Sequence, residues 1–438
     1  MISETLIEQD AIGLALTGSL AKGMLAKRLQ PKRASEYRDI NGLLPNMKQD
    51  IAAAGPSTSG TFPNLTAVSP SDLFLVTGVT GFLGGTVVAE LLTAPFSAKL
   101  LLMVRACSPE EGLERARRSL ERFEVPHALL AKLTVANILC GDLGNVAAFE
   151  RDPRLDAVTH VVNCAGITSF GKDPDVWRVN VDGTLAFAHR LKRATGLKRF
   201  VHISTAMICG DKPPSVVEED VSLGINGQHL VPYTESKAEA ERRLLKEMAG
   251  LPFVIVRPTI IAGHTRLGCR PSGSIFWAFR MSHALRMTTS PLDGKIDVVP
   301  VDYAARAVLH LAAAKELRHN IYHVGSGPNH SSTFAEIDAA FVKADGGVRS
   351  GEFHSGSVEE ALKRKDSFQQ IFGQCNRRFM QVAIRLYGGF AALDATFDNS
   401  RLLKEGAPPP PKFSDYLGVC LETCKDVSIY AQAMIDFV

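Results

Sequence analysis

The chain has 438 residues, 45% of them hydrophobic and 22% charged, with 49 Lys plus Arg against 46 Asp plus Glu for a formal net charge of +3. These values exclude collagen-like, coiled-coil and wholly disordered chains, and so even a charge balance argues against nucleic acid as a partner. The length suits two or three domains whose cores need no disulfide, and the eight cysteines form no C-x-x-C and no zinc-spaced cluster with histidine, so they read as plain thiols of a reducing compartment and no metal is expected.

Residues 1–70 form an N-terminal extension and linker. The opening Met-Ile-Ser-Glu-Thr places acids where a signal peptide wants bases, and no uncharged run approaches 18 residues, so neither a leader nor a spanning helix is expected and the protein reads as cytoplasmic. Residues 12–29 suit an amphipathic helix with Lys22, Lys27 and Arg28 on its polar side. One reading is peripheral contact with a membrane or a partner; the other is a helix packed on the main domain, or a frayed tail. Residues 54–72 are rich in Ala, Gly, Pro, Ser and Thr, which marks a linker.

From Asp72 apolar runs of strand length recur at 73–77, 100–104, 135–139, 160–163, 200–204 and 253–257, with helical stretches such as 84–92 and 115–123 between them. That alternation predicts an α/β, Rossmann-like doubly wound parallel sheet spanning 71–330. Residues 264–297 read as an irregular insertion with one helix near 274–285, and 297–303 and 321–324 as strands returning to the sheet. Residues 331–438 read as a mainly helical substrate or lid region, broken near 346–357 and at Pro408–Pro411, with one or two helices over 413–437.

The segment Phe74-Leu-Val-Thr-Gly78-Val-Thr-Gly81-Phe-Leu-Gly84 ends a strand, turns on glycines and opens a helix. This is the context in which a glycine pattern binds a dinucleotide pyrophosphate. Cofactor contacts are expected at Gly78, Thr80, Gly81, Phe82, Leu83 and Gly84. An acid at the end of the second strand would hold a ribose 2′-OH; the residue there is Arg105, which suits the 2′-phosphate of NADP(H). Asp142 and Leu143 follow the third strand, where a carboxylate can accept from adenine and an apolar side chain can pack on its ring. Cys164, Ala165 and Gly166 end the fourth strand with small residues beside the cofactor, and with nothing nearby to activate it Cys164 reads as a buried thiol rather than a nucleophile.

Thr205 closes the fifth strand, and Tyr233 and Lys237 lie four apart on one face of the next helix. A cationic Lys beside a phenol favours phenolate, which would lower the Tyr pKa from its usual value of about 10. Such a Tyr can exchange a proton at a carbonyl oxygen held by the Thr205 hydroxyl.

The glycine loop, Gly141-Asp142-Leu143, Asn180-Val-Asp-Gly183-Thr184, Ser204-Thr205-Ala206, Tyr233 to Lys237 and Arg257-Pro258-Thr259 together resemble the extended short-chain dehydrogenase/reductase superfamily. The resemblance implies Tyr233, Lys237 and Thr205, five before Gly210, as the catalytic set. It also implies cofactor contacts at Tyr233, Lys237, Pro258 and Thr259. The runs Leu-Met-Val-Arg-Ala, Phe-Val-His-Ile-Ser-Thr-Ala and Val299-Pro-Val-Asp-Tyr303 look like the branch of fatty acyl-CoA reductases and thioester reductases. That branch implies an oxidoreductase using NADPH on an acyl thioester, carried on coenzyme A or an acyl carrier protein, to give an aldehyde or alcohol. The alternatives are an oxidoreductase or epimerase of the same fold acting on a sterol or nucleotide sugar, and a non-catalytic NADP-binding regulator.

Residues 275–279 and the apolar helices after 370, with Phe379, Ile384, Leu386 and Phe390, are expected either to wall an acyl pocket or merely to pack a C-terminal core. Arg266, Arg270 and Arg280 either meet a phosphopantetheine phosphate or face solvent. Oligomeric state and chain length are not legible in the sequence.

Overall fold

Strands buried on both faces need helices on both sides, and the alternation of apolar runs with helical stretches supplies them. In the computed structural model, which describes residues 62, 68–94, 98–170, 173–220, 228–347 and 351–436, seven strands form one parallel sheet. They are β1 (Leu73–Thr77), β2 (Lys99–Val104), β3 (Ile138–Cys140), β4 (His160–Asn163), β5 (Arg199–Ile203), β6 (Phe253–Pro258) and β7 (Ile321–Val324). Their spatial order is β3-β2-β1-β4-β5-β6-β7. The order reverses between β1 and β4, which opens a crevice at the carboxyl ends of the strands. The helix expected over 12–29 lies outside the described residues, as does most of the linker. Among the described residues no helix is long and apolar enough to cross a membrane, and no group of three His, Cys, Asp or Glu is placed to hold a metal ion.

Alternate residues of β1 serve opposite cores. Phe74 and Val76 pack with α1 (Phe82–Thr93), α2 (Pro109–Glu121) and α6 (Val301–Ala313). Leu75 packs with α3 (Thr184–Leu191) and α4 (Pro232–Glu247). The helices of the insertion and the C-terminal region lie beside the sheet rather than on it: α5 (Phe276–Leu285), α7 (Phe334–Ala344), α8 (Arg377–Ala391), α9 (Phe413–Glu422) and α10 (Ile429–Asp436) share two further apolar clusters.

Three expected elements differ, each for a local reason. Only Val298–Val299 of the stretch 297–303 is strand; it pairs with Ile260–Ile261 apart from the main sheet. Pro300 cannot continue a ladder and instead caps α6. The strand expected at 135–139 begins at Ile138, because the Asn137 side chain accepts from the Thr134 amide at 2.9 Å and donates to the Leu100 carbonyl at 2.9 Å, curling the preceding residues. The helix expected at 115–123 begins at Pro109, where Ser108 accepts from the Glu111 amide at 3.2 Å and two acids occupy the first turn.

Buried carboxylates tie the C-terminal region to the sheet. Asp297 accepts from the amides of Ser326 (2.6 Å), Gly327 (3.1 Å) and Phe397 (3.1 Å). Glu219 accepts from the amides of His323 (2.7 Å) and Arg401 (3.2 Å), and burial pushes its pKa up to about 7.

A buried ion pair seats α4 on β6. Arg257, wholly buried, donates to Glu241 through Nη2 at 2.6 Å and Nε at 3.1 Å, and through Nη1 to the Asp220 carbonyl at 2.8 Å. Glu241→Ala would leave this guanidinium buried and uncompensated, at a cost of ~3–5 kcal/mol, whereas an apolar pair such as Arg257→Met with Glu241→Leu recovers most of it. Urea unfolding of the single and double variants measures both; a single-variant loss below ~1 kcal/mol contradicts this reading of the pair.

Candidate functional site

The crevice between β1 and β4 is built by close backbone approach. Gly78 follows β1 at φ +68°, which glycine adopts without strain, and its carbonyl accepts from the Gly81 amide at 2.9 Å. A Cβ on Gly78 would stand 2.8 Å from the Cys164 carbonyl and the Ala165 nitrogen, and one on Gly84 would run into the Gly78 carbonyl oxygen. The Thr77 hydroxyl donates to Asn163 at 2.6 Å and accepts from the Ala165 amide at 3.0 Å, locking the two strand ends together. No side chain caps α1 and no acid lies in its first turn, so its leading N–H groups suit an anion. These features fit a dinucleotide pyrophosphate.

The loop residues divide their work. Thr80 and Gly81 are exposed, and the Thr80 carbonyl accepts from Arg122 at 2.9 Å. Phe82 and Leu83 turn their side chains to the core beneath α1 and leave backbone to the crevice. At the far end Arg105 is 71% exposed, with Nε 3.9 Å from Asp142 Oδ2, while Asp142 Oδ1 accepts from the Gly144 amide at 2.7 Å. Arg115 of α2 donates to the Arg105 carbonyl, bringing a second guanidinium to the same strand end. Leu143, expected to pack on adenine, is 2% exposed and belongs to the core below the sheet, so its side chain supports that end from behind.

Beyond β4, burial pushes the Cys164 thiol pKa up to about 12, which favours the neutral thiol. Gly166 lies where a Cβ would be 3.1 Å from Asn180 Oδ1 and 3.2 Å from Lys237 Nζ. Pro258 ends β6, and buried Thr259 follows it with its amide bonded to the Val324 carbonyl at 3.0 Å.

Thr205 caps the short turn Ala206–Cys209, its hydroxyl oxygen accepting from the Met207 amide at 3.2 Å; the hydroxyl proton is left to donate. Lys237 Nζ donates to the Ile203 carbonyl at 2.9 Å, so α4 and the end of β5 are joined beside Thr205. Burial pushes the Lys237 pKa down to about 8. Burial also pushes the Tyr233 hydroxyl up to about 12, opposite to the depression that the four-residue spacing suggests. One of the three Lys237 N–H groups is directed at the Ile203 carbonyl, and in the resting site desolvation of the phenol is the dominant influence on Tyr233.

Asn180 is a positioning residue whose motif is visible in the sequence but whose task is not. It sits buried in a π-helical turn, Arg178–Gly183, a geometry common near functional sites. Its Oδ1 accepts from the Ile167 amide at 2.8 Å, and its Nδ2 donates to the Ile167 carbonyl at 2.9 Å and to Ser236 Oγ at 3.0 Å. Ser236 in turn donates to the Tyr233 carbonyl at 2.7 Å. The loop after β4 is thereby fastened to the helical turn bearing Tyr233.

An apolar cleft flanks this site, lined in part by Ile275, Ala278 and Phe279 around α5 and by Ile384, Tyr387 and Phe390 of α8. Phe170 joins the cleft to the tyrosine: its ring centroid is 6.1 Å from Tyr233, 5.9 Å from Tyr387 and 5.8 Å from Phe390. The two apolar regions named in the sequence therefore meet, with changes of detail. Trp277 is fully buried behind the wall, 4.7 Å from the Tyr387 ring, and Phe379 packs 5.7 Å from Tyr430. Arg280 is committed to the carbonyls of Cys424 and Val427 and to Gln432. Arg266 and Arg270 remain exposed but share Glu124, at 2.6 and 2.8 Å. Phe170 and Tyr387 carry no motif that would single them out in the sequence.

Comparison with known proteins agrees with this geometry. Residues 76–308 match the family model of the male sterility protein, an NAD-binding domain. A probable fatty acyl-CoA reductase 5 of Arabidopsis thaliana is 28% identical over 345 residues, covering 61% of this chain and 69% of the relative. A linear gramicidin synthase of Brevibacillus parabrevis is 27% identical over 301 residues, covering 66% of this chain but 6% of that much longer protein. Among solved structures, the terminal R domain from the myxalamid PKS-NRPS biosynthetic pathway superposes with a TM-score of 0.65 at 20% identity, covering 81% of this chain and 90% of that one. The reductase domain of a non-ribosomal peptide synthetase from Mycobacterium tuberculosis gives 0.64 at 21% identity, covering 83% and 95%; at such identities the likeness is one of fold. Since the family model accounts for more than half of the residues and includes both the glycine cradle and the Thr205–Tyr233–Lys237 cluster, the chain belongs to the male sterility family of NAD-binding proteins.

Proposed function

We propose that the protein reduces an acyl thioester, carried on coenzyme A or on a phosphopantetheine carrier, to an aldehyde or alcohol with NADPH as reductant. The observation that carries this reading is the placement of Thr205, Tyr233 and Lys237 between a glycine cradle and an apolar cleft. A wall that is mainly apolar, with the hydroxyls of Ser282, Thr288 and Thr289 among its lining, suits a fatty acyl chain better than a nucleotide sugar, which needs many hydrogen-bond partners. A regulator would need the cradle but not the proton-transfer residues. Arg266 and Arg270, already drawn together by one carboxylate, are the exposed cations of the insertion that a carrier phosphate can reach; their use would require Glu124 to release them.

When bound, the reduced nicotinamide supplies a hydride to the thioester carbonyl carbon. The chain supplies the rest. The Thr205 hydroxyl, held by the Met207 amide, donates to the carbonyl oxygen as negative charge develops there. Tyr233, protonated because burial holds its pKa up at about 12, gives its proton to that oxygen, which leaves a hemithioacetal. The Tyr233 phenolate then takes that proton back as the carbon–sulfur bond breaks, the thiolate departs and picks up a proton from solvent, and an aldehyde remains, which a second hydride and proton would carry to the alcohol. The Lys237 ammonium, one helical turn away, stabilises the phenolate left behind. Asn180 and Ser236 keep the tyrosine turn in place against the loop after β4.

Three outcomes are expected. Arg105→Ala removes a charge-assisted phosphate contact worth ~1.5–3 kcal/mol, so the KM for NADPH rises steeply while that for NADH barely moves; a wild type that prefers NADH overturns this assignment. Tyr233→Phe keeps NADPH binding by fluorescence titration but lowers kcat by ~10²–10⁴-fold, and near-normal turnover would remove Tyr233 from the mechanism. The pH profile of reduction should be flat below, and fall as pH rises through, the Lys237 pKa of about 8, because the ammonium is charged only below that value while Tyr233 stays protonated on both sides of it. Steady-state rates between pH 6 and 10 read the limb, and Lys237→Arg should move it upward; a limb unmoved in Lys237→Arg assigns it to another group.

A further inference from the structure

We propose that Phe170 is the specificity-determining gate of the acyl site, separating Tyr233 from the apolar cleft and setting how long an acyl chain is accepted; the proposal rests on the thioester-reductase reading above. Phe170 lies three residues beyond Ile167, whose amide and carbonyl are both held by Asn180. The backbone approaching it is thus anchored, and its side chain is half-buried. Its ring touches Tyr233 on one side and both Tyr387 and Phe390 of α8 on the other, at 5.8–6.1 Å between centroids.

Tyr387 and Phe390 line the cleft, whereas Tyr233 does not. Phe170 is itself outside the cleft lining but contacts Tyr233 and both of these lining rings, so an acyl chain running from a carbonyl at the Tyr233 hydroxyl into the cleft meets the Phe170 ring on this route. With the ring in place, a short acyl group fits beside Tyr233 and a long one must displace it. The contacts are between rings, with no hydrogen bond or charge fixing Phe170 in place, so the side chain can turn without leaving a buried polar group unpaired. Ala278 of α5 and Ile384 of α8 also line the cleft and are not among the rings that contact Phe170, so the cleft can be filled by a substitution that leaves the Phe170 ring unaltered.

The test uses the full chain with NADPH and acyl-CoA substrates of four to sixteen carbons. Relative to wild type, Phe170→Ala should raise the kcat/KM ratio of twelve-carbon over four-carbon substrate by ~10-fold or more, since apolar pockets discriminate by about that much per small group, with the change chiefly in the KM of the long substrate. Phe170→Trp should lower the ratio. Ile384→Phe, which fills the cleft, should abolish the gain when added to Phe170→Ala. Binding of the fluorescent fatty acid cis-parinarate, followed without turnover, gives a second reading: Phe170→Ala should bind it ~10-fold more tightly, and the double variant should not. If no acyl thioester oxidises NADPH, the thioester reading fails and the parinarate series alone decides the gate. If wild type is an acyl reductase but Phe170→Ala leaves the chain-length ratio and parinarate affinity unchanged, or merely lowers the unfolding midpoint, Phe170 is packing and the gate is overturned.

Discussion

A buried ammonium donating to a strand-end carbonyl, Lys237 to Ile203 at 2.9 Å, is the contact on which the arrangement of the site depends. Thr205 owes its place to the end of β5 and Tyr233 owes its place to the first turn of α4. Those two elements come from segments separated by a long connection, and this bond joins them directly beside Thr205, while the Arg257–Glu241 pair seats the same helix further along. The same ammonium lies near Gly166, where a Cβ would stand 3.2 Å from it, so one cation marks the corner at which the loop after β4, the end of β5 and the face of α4 converge. Its burial lowers its pKa to about 8. Its charge is therefore held near the edge of titration, while the bond to Ile203, which a neutral amine also makes, keeps the corner in place.

Around that corner several buried polar groups bridge elements distant in sequence. Asn180 closes both backbone groups of Ile167 and still reaches Ser236. Arg257 and Glu241 satisfy one another one turn beyond Lys237 on α4. Asp297 and Glu219 each gather amides from β7's end and from the C-terminal segment. Buried polar groups are costly unless matched, and here each match joins two elements distant in sequence. The C-terminal helices are fixed to the insertion by two apolar clusters and by the buried Arg286–Asp338 pair at 2.6 Å. The two sides of the site differ in kind: ion pairs and amide bonds frame the proton-transfer residues, and mainly apolar side chains line the cleft.

What can be read in the sequence follows the same division. The glycine loop, the strand-end Thr205 and the Tyr233–Lys237 pair are legible because backbone geometry dictates residue type at fixed spacing: only glycine tolerates the positive φ at Gly78 and the approach to Cys164 and Ala165. Side-chain electrostatics are less legible. Spacing places Tyr233 and Lys237 on one face but does not say that the ammonium turns to Ile203, and so the direction of the tyrosine shift comes out reversed. Arg266 and Arg270 look free in the sequence because their partner, Glu124, lies more than a hundred residues away. Phe170 and Tyr387 are invisible for the same reason: their meaning is a contact across the fold, not a pattern along the chain. Residue type alone marks Leu143 and Trp277 for the site, and burial places each behind the surface it is expected to form.

The separation of cradle and cleft bears on how one scaffold can serve different acyl donors. The cradle is made of backbone and short polar bonds, so changes there affect cofactor binding and proton transfer together. The cleft is made of side chains from two regions beyond the sheet core, α5 and α8, and the family match ends at residue 308, before α8 begins. Side chains of α8 that line the cleft can therefore change without altering the backbone of the cradle. Phe170 is the exception, because it belongs to the loop after β4 and touches both sides. A substitution there alters packing on both sides at once, since the same ring lies against Tyr233 and against Tyr387 and Phe390 of the cleft wall.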